Sequence, residues 1–252
     1  MVKTFQSIIK NSFRKVGVEL SRWKPPYHGV SSLVKNSECD IELILDIGAN
    51  KGQSADRFLN LFPEAELISF EPLPNLRREL EEKYKGNSSV KIIEKAVSDA
   101  SGTSMFQVNT ESDLSSLLSP ETGACNQKTY HYGGEVIDSV EVVLTTVDLF
   151  MDEQGIEQVS LLKLDVEGNE FQCLKGAKQS LQSHSIDIVH MEVSFVSRYE
   201  GEVCFLEVYR FLDELNYSLY DLREHKRADD GQLRMANAIF IDPKTKISLQ
   251  SN

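Results

Sequence analysis

"ILDIGANKGQ", residues 44–53, decides the fold. An apolar run stops at Asp46, and glycines follow at 48 and 52 with Asn50 between them. A short apolar run bounded by turn residues reads as a buried strand. The turn after it calls for positive φ, which glycine adopts freely and Asn tolerates. A strand, a tight turn and a helix beside a carboxylate make a nucleotide-binding edge. The spacing is not the G-x-G-x-x-G of a dinucleotide loop, and G-x-x-x-x-G-K-[ST] is absent, so the turn lacks the usual cradle for a diphosphate.

Outward from this stretch the chain alternates. "IELILDIG" predicts a strand over 41–46, "QSADRFLNLFP" an amphipathic helix stopped by Pro63, and "AELISFEP" a strand ending at Glu71. "PNLRRELEEKY" is a second helix and "VKIIEKAVS" a third strand near 90–97. "GTSMFQVN" reads as a strand, and "TESDLSSLLSPETGACNQKTYHYGGE" as a long polar loop. "SVEVVLTTVDLFMDEQG" gives a strand and a short helix, "VSLLKLDVEGNE" a strand to Asp165, and "FQCLKGAKQSLQ" a helix. "DIVHMEVS" is a strand ending at Glu192, "VCFLEVYRFLDELN" a helix, and "YSLYDLRE" and "NAIFIDP" are closing strands. Strands and helices in alternation, with short connections, predict one doubly wound, mostly parallel α/β sheet with helices on both faces. Its ligand belongs at the carboxyl ends of the strands, where strand order reverses.

Residues 1–24 stand apart, with six basic residues against Glu19 alone. Phe5, Ile8, Ile9, Phe13 and Val16 recur at helical spacing. Two readings follow: a helix docked on the main domain, or a basic amphipathic helix lying on an anionic membrane or an acidic partner. "KPPYHGVSS" (24–32) reads as a linker. The expected organisation is thus an N-terminal helix and linker over 1–40 and one α/β domain over 41–252.

The bulk properties narrow the partners. A chain of 252 residues, 40% hydrophobic and 26% charged, is an ordinary globular protein with ample core. A net charge of -12 argues against nucleic acid and for a neutral or cationic small ligand. Cys39, Cys125, Cys173 and Cys204 form no C-x-x-C pair and no zinc spacing, so reduced thiols are expected. No apolar run spans a bilayer and the start lacks a signal-peptide core, which makes the cytoplasm the expected location.

Four acids fall where strands should end: Asp46, Glu71, Asp165 and Glu192. One such acid is commonly a helix cap; four on one rim favour a positively charged ligand. Glu71 lies 19 residues past Gly52, near the spacing of an acid that grips ribose hydroxyls. A ligand with a ribose, a positive charge and no diphosphate is S-adenosylmethionine (SAM).

The motifs resemble those of the FkbM family of SAM-dependent methyltransferases. The similar pieces are "LDIGANKGQ" (45–53), "FEPLP" (70–74), "KAVSD" (95–99), "SDLSSL" (112–117), "TTVDLF" (145–150) and "LLKLDVEGNEFQCLKGA" (161–177), covering roughly residues 41–195. The resemblance implies a seven-stranded Rossmann-like methyltransferase sheet. It implies that Asp46, Gly48, Asn50 and Gly52 form the loop around the methionine end of SAM, and that Glu71 binds both ribose hydroxyls. It also implies that the Ala96–Asp99 segment lies along the adenine, with Ser98 or Asp99 facing its edge, and that Asp165 lies next to the transferring methyl. The implied activity is O-methylation of a hydroxyl on a sugar, glycan, glycolipid or polyketide-like metabolite. The alternatives are a module that binds SAM without turnover and, disfavoured by the missing loop, an NAD-dependent oxidoreductase.

Methyl transfer to oxygen needs alignment and commonly a base. Asp165, Glu167, Glu192 and His131 compete for that role. Against each stands a plainer one: a helix cap for Glu167 or Glu192, and a surface loop histidine for His131. His190 reads as a core histidine, and Ser115 and Ser116 as contacts to cofactor or acceptor or as a helix start. Asp165 and Glu192 would supply two oxygens to a magnesium ion; catalysis without a metal is the expectation.

Overall fold

A computed structural model describes residues 27–37, 39–120 and 135–250. The expected helix within 1–24, His131 and Cys125 lie outside the described residues. The strands are β1 (Leu43–Ile47), β2 (Glu66–Phe70), β3 (Val90–Ile93), β4 (Ala96–Val97), β5 (Gly102–Asn109), β6 (Val136–Thr145), β7 (Val159–Leu164), β8 (Ile186–Ser194), β9 (Ser218–Arg227) and β10 (Leu233–Ile241). The helices are α1 (His28–Ser37), α2 (Gln53–Leu61), α3 (Pro74–Lys83), α4 (Val147–Gln154), α5 (Glu170–Gly176), α6 (Lys178–Gln182), α7 (Phe205–Glu214) and α8 (Pro243–Gln250).

Seven strands form the main sheet in the order β3-β2-β1-β7-β8-β10-β9. All neighbours are parallel except β10, which runs antiparallel to β8 and β9. Every residue of β7 is buried, the continuous pattern of a central parallel strand covered on both faces. Successive residues alternate between two cores. Leu45, Leu162 and Val189 enter one, with Phe150, Leu174 and Leu212 of α4, α5 and α7. Ile44, Leu161 and Ile188 enter the other, with Val30, Leu33 and Phe58 of α1 and α2. The chain leaves β1 outward to β2 and β3, then crosses back to β7. The order therefore reverses between β1 and β7, with their carboxyl ends on one rim.

Four expectations differ in detail. The third strand is split at Glu94 and Lys95. Its second half, β4, leaves the main sheet and joins β6 and β5 in a separate three-stranded sheet. Among the described residues Met105 and Val143 of β5 and β6 are exposed, unlike the central strands of the main sheet, which are covered on both faces. The linker stretch enters α1, since Tyr27, Val30 and Leu33 share one face and bury against the sheet. β8 runs past Glu192 to Ser194, held by the pairing of Ser194 with Met235 on β10. Among the described residues, Cys39, Cys173 and Cys204 form no disulfide, and no helix is long and apolar enough to cross a membrane.

Candidate active site

The loop after β1 passes through two left-handed residues before α2, Gly48 at φ 81° and Asn50 at φ 48°, and meets the helix at Gly52, φ 79°. A Cβ on Gly48 would stand 2.0 Å from the carbonyl oxygen of Asp165, so only glycine lets β1 and β7 close at the rim. The amides of Gly48 and Ala49 donate to the Phe70 carbonyl at 3.2 and 3.0 Å, tying the loop to β2.

Glu71 follows β2 and is nearly buried. Its carboxylate accepts the Asn50 amide at 3.0 Å on one oxygen and the Leu73 amide at 2.9 Å on the other. Burial raises its pKa to about 7, although the two amides and the Lys163 ammonium pull it down. Beside it opens a cleft. Phe70, Pro72, Leu73, Ala96 and Phe106 line its apolar part, and Gly48, Asn50 and Asp165 line its polar part. A second pocket shares Gly48, Asn50, Asp113, Asp165 and Glu167 with the first, and adds Tyr27, Gln53, Arg57, Glu192 and Lys226.

Asp46 does not line either space. It is fully buried and accepts the Ser54 hydroxyl at 2.8 Å, the Ser69 hydroxyl at 3.4 Å and the Lys163 ammonium at 3.0 Å. Lys163 also donates to the Gly48 carbonyl at 2.8 Å. Burial works against its charge, yet the Asp46 and Asp165 carboxylates outweigh that and raise its pKa.

Three carboxylates converge on the second pocket: oxygens of Asp165, Glu167 and Glu192 lie within 4.8 Å of one another. Glu167 stands at φ 53° and Gly168 at φ 95°, where a Cβ would come 2.6 Å from the Tyr199 ring. Arg198 reaches in from the segment after β8. It donates to Glu167 at 3.0 Å and to Glu192 at 2.7 Å, and Tyr199 donates its hydroxyl to the same Glu167 oxygen at 3.0 Å. Burial raises the pKa of both acids, with Arg198 opposing it. A cation held by this trio would compete with a guanidinium already between two of its members. The Asp165 carboxylate is 46% exposed, and the Lys163 ammonium lies 3.7 Å from it.

The rim thus gathers Gly48, Asn50, Glu71, Ala96, Asp165, Glu167 and Glu192. Gly52 sits behind it, where a Cβ would meet the Tyr84 hydroxyl at 2.6 Å. Ser98 and Asp99 do not line the cleft: Lys175 holds Asp99 on the surface at 2.8 Å, and Asn169 reaches the Ser98 hydroxyl at 3.5 Å. Ser115 lines the cleft, and Ser116 donates to the Glu167 carbonyl at 2.7 Å. Glu167 is not a helix cap; Glu170 takes the Val166 amide at 2.8 Å. His190 is buried in the core, as expected, but its Nδ1 has no hydrogen-bond partner among the described residues. The sequence reading missed Lys163, Arg198, Tyr199 and Tyr27. Only Lys163 carried a signal, a lysine inside an apolar strand.

A family model described as the methyltransferase FkbM domain matches residues 46–219. The 2-O-methyltransferase NoeI of Sinorhizobium fredii is 32% identical over 168 residues, 64% of this chain and 67% of NoeI. Methyltransferase sdnD of Sordaria araneosa is 30% identical over 159 residues, 54% of this chain and 60% of sdnD. Among solved structures, the 1,6-didemethyltoxoflavin-N1-methyltransferase of Burkholderia thailandensis, with S-adenosylhomocysteine bound, covers 96% of this chain and 87% of its own length at 10% identity and a TM-score of 0.45. With the motif-bearing β1, β2 and β7 edges inside the matched span, the chain belongs to the FkbM methyltransferase family.

Proposed function

We propose that the chain transfers a methyl group from SAM to a hydroxyl oxygen of a sugar, glycan, glycolipid or polyketide-like metabolite. One observation carries the reading: Glu71 and the glycine loop bound one cleft, and Asp165 stands where that cleft opens into a second, polar pocket. The residues fit the cofactor. Each Glu71 oxygen has one lone pair taken by an amide and keeps another for a ribose hydroxyl. The apolar walls from Leu73, Ala96 and Phe106 suit a flat base. Gly48 lines the polar part of the cleft, where the amino-acid end would pass.

When bound, SAM supplies an electrophilic methyl on a sulfonium. The protein must place a hydroxyl oxygen in line with it and remove the proton. Asp165 is the base in this account, because its carboxylate is half exposed and lies on both pockets. Glu167 and Glu192, fixed by Arg198, hold further hydroxyls of the acceptor. Gln53, Arg57, Asp113 and Lys226 add hydrogen-bonding groups around it, a lining that suits a hydroxylated acceptor. The name of NoeI, a 2-O-methyltransferase, supports oxygen as the accepting atom. The test is methyl transfer from labelled SAM to a panel of sugars, glycosides and hydroxylated macrolides. Label in an ether-linked methyl of at least one acceptor is expected; SAM bound with no transfer to any hydroxyl or hydroxylated extract would contradict the activity.

A further inference from the structure

We propose that Lys163 is a positioning residue of the cofactor site, pinning the Gly48 carbonyl from beneath and so fixing the loop along which the amino-acid end of SAM lies. The inference rests on the cofactor reading above. Lys163 is the next-to-last residue of β7, and its side chain is 2% exposed. The register sets Asp46 opposite Lys163 on one side and His190 on the other, with Ser69 beyond Asp46. A polar row therefore crosses four central strands under the rim.

An ammonium has three donors. Those of Lys163 have three close acceptors: Asp46 at 3.0 Å, the Gly48 carbonyl at 2.8 Å and the Ile47 carbonyl at 3.3 Å. Two of these acceptors are the last carbonyl of β1 and the first of the loop. Asp46 in turn takes the hydroxyl of Ser54, in the first turn of α2. One buried cation thus joins β7, the end of β1, the loop and the helix that follows it. Stability alone gives a poor account of it, because a buried ion pair is commonly replaced by apolar side chains at no net loss. A leucine or methionine would fill the strand position, but neither would hold the Gly48 carbonyl. The role also explains why Asp46 lines no cleft: it acts through Lys163 and Ser54.

The single change Lys163→Met strands the Asp46 charge, so the informative protein is the double variant Asp46→Asn/Lys163→Met, which removes both charges together. S-adenosylhomocysteine and adenosine are titrated by calorimetry into the full chain and into this variant. Adenosine lacks the amino-acid end, so loss of the pin should separate the two ligands. The expected result is a variant that melts near the wild type, binds S-adenosylhomocysteine at least tenfold more weakly and binds adenosine within threefold. Equal losses for both ligands, S-adenosylhomocysteine affinity within threefold of wild type, or failure of the double variant to fold would each overturn the positioning role. Failure of the wild-type chain to bind S-adenosylhomocysteine would instead overturn the cofactor reading on which the proposal stands.

Discussion

Gly48 and Asp165 meet across the β1–β7 edge so closely that a methyl group on Gly48 would fall 2.0 Å from the Asp165 carbonyl oxygen. This contact joins the loop on one side to the half-exposed carboxylate on the other. Gly48→Ala combines that clash with a backbone at φ 81°, a region that costs an alanine about 1 kcal/mol or more before the clash is counted. The variant is expected to melt several degrees lower and to lose S-adenosylhomocysteine binding by calorimetry. Wild-type affinity in Gly48→Ala would show that the loop does not carry the ligand.

Glu71 should make cofactor affinity depend on pH. Its pKa is raised to about 7 by burial, and ribose hydroxyls need the ionised form as acceptor. Affinity for S-adenosylhomocysteine should be full at pH 8 and fall about tenfold per unit below pH 7. Glu71→Gln should weaken binding at pH 8 by roughly tenfold to a hundredfold, the worth of charge-assisted hydrogen bonds, and flatten the profile. An equally flat wild-type profile between pH 6 and 8 would remove Glu71 from the ribose.

Glu170 should make stability depend on pH. Burial raises its pKa to about 8 from an ordinary value of 4.5. The folded state therefore holds a proton that the unfolded chain releases. The stabilisation is present in full below pH 4.5 and is lost as pH rises through 8. Glu170→Gln keeps an acceptor for the Val166 amide and removes the titration. The variant should melt close to wild type at pH 5 and more than about 3 °C above it at pH 9, seen by scanning calorimetry. A wild type that melts as high as the variant at pH 9 would contradict the shift.

Asp165→Asn should lower turnover by about a hundredfold or more, the usual contribution of a positioned base, while S-adenosylhomocysteine affinity stays within fivefold. Turnover is read as S-adenosylhomocysteine released with the best acceptor of the panel. Unchanged turnover would pass the role to Glu167 or Glu192.

Arg198→Ala should cost about 3–5 kcal/mol, because it leaves Glu167 and Glu192 buried without their guanidinium. The melting point should fall by about 10 °C. A loss under about 2 °C would mean that the carboxylates are already neutral in the folded protein.

Much of this site was legible in the residues. The β1 loop, the acid after β2 and the acid after β7 declare themselves locally, through apolar runs that stop at turn residues. What was hidden depends on distant partners. Nothing near Asp99 says that Lys175, 76 residues away, will take it out of the cleft. The strands β5 and β6 alternate as any half-exposed strand does, and the pattern cannot say which sheet they join. Glu192 looked terminal because its antiparallel partner on β10 lies more than 40 residues on. Arg198 belongs to an irregular segment, where no period marks an inward side chain.

The central claim is that the edge shared by β1, β2 and β7 holds the nucleoside of SAM. A crystal structure of the chain with S-adenosylhomocysteine tests it most directly. The account predicts both ribose hydroxyls on the Glu71 carboxylate, the base between Leu73 and Ala96, and the sulfur facing Asp165. A nucleoside bound anywhere else, or a ribose without contact to Glu71, would contradict it.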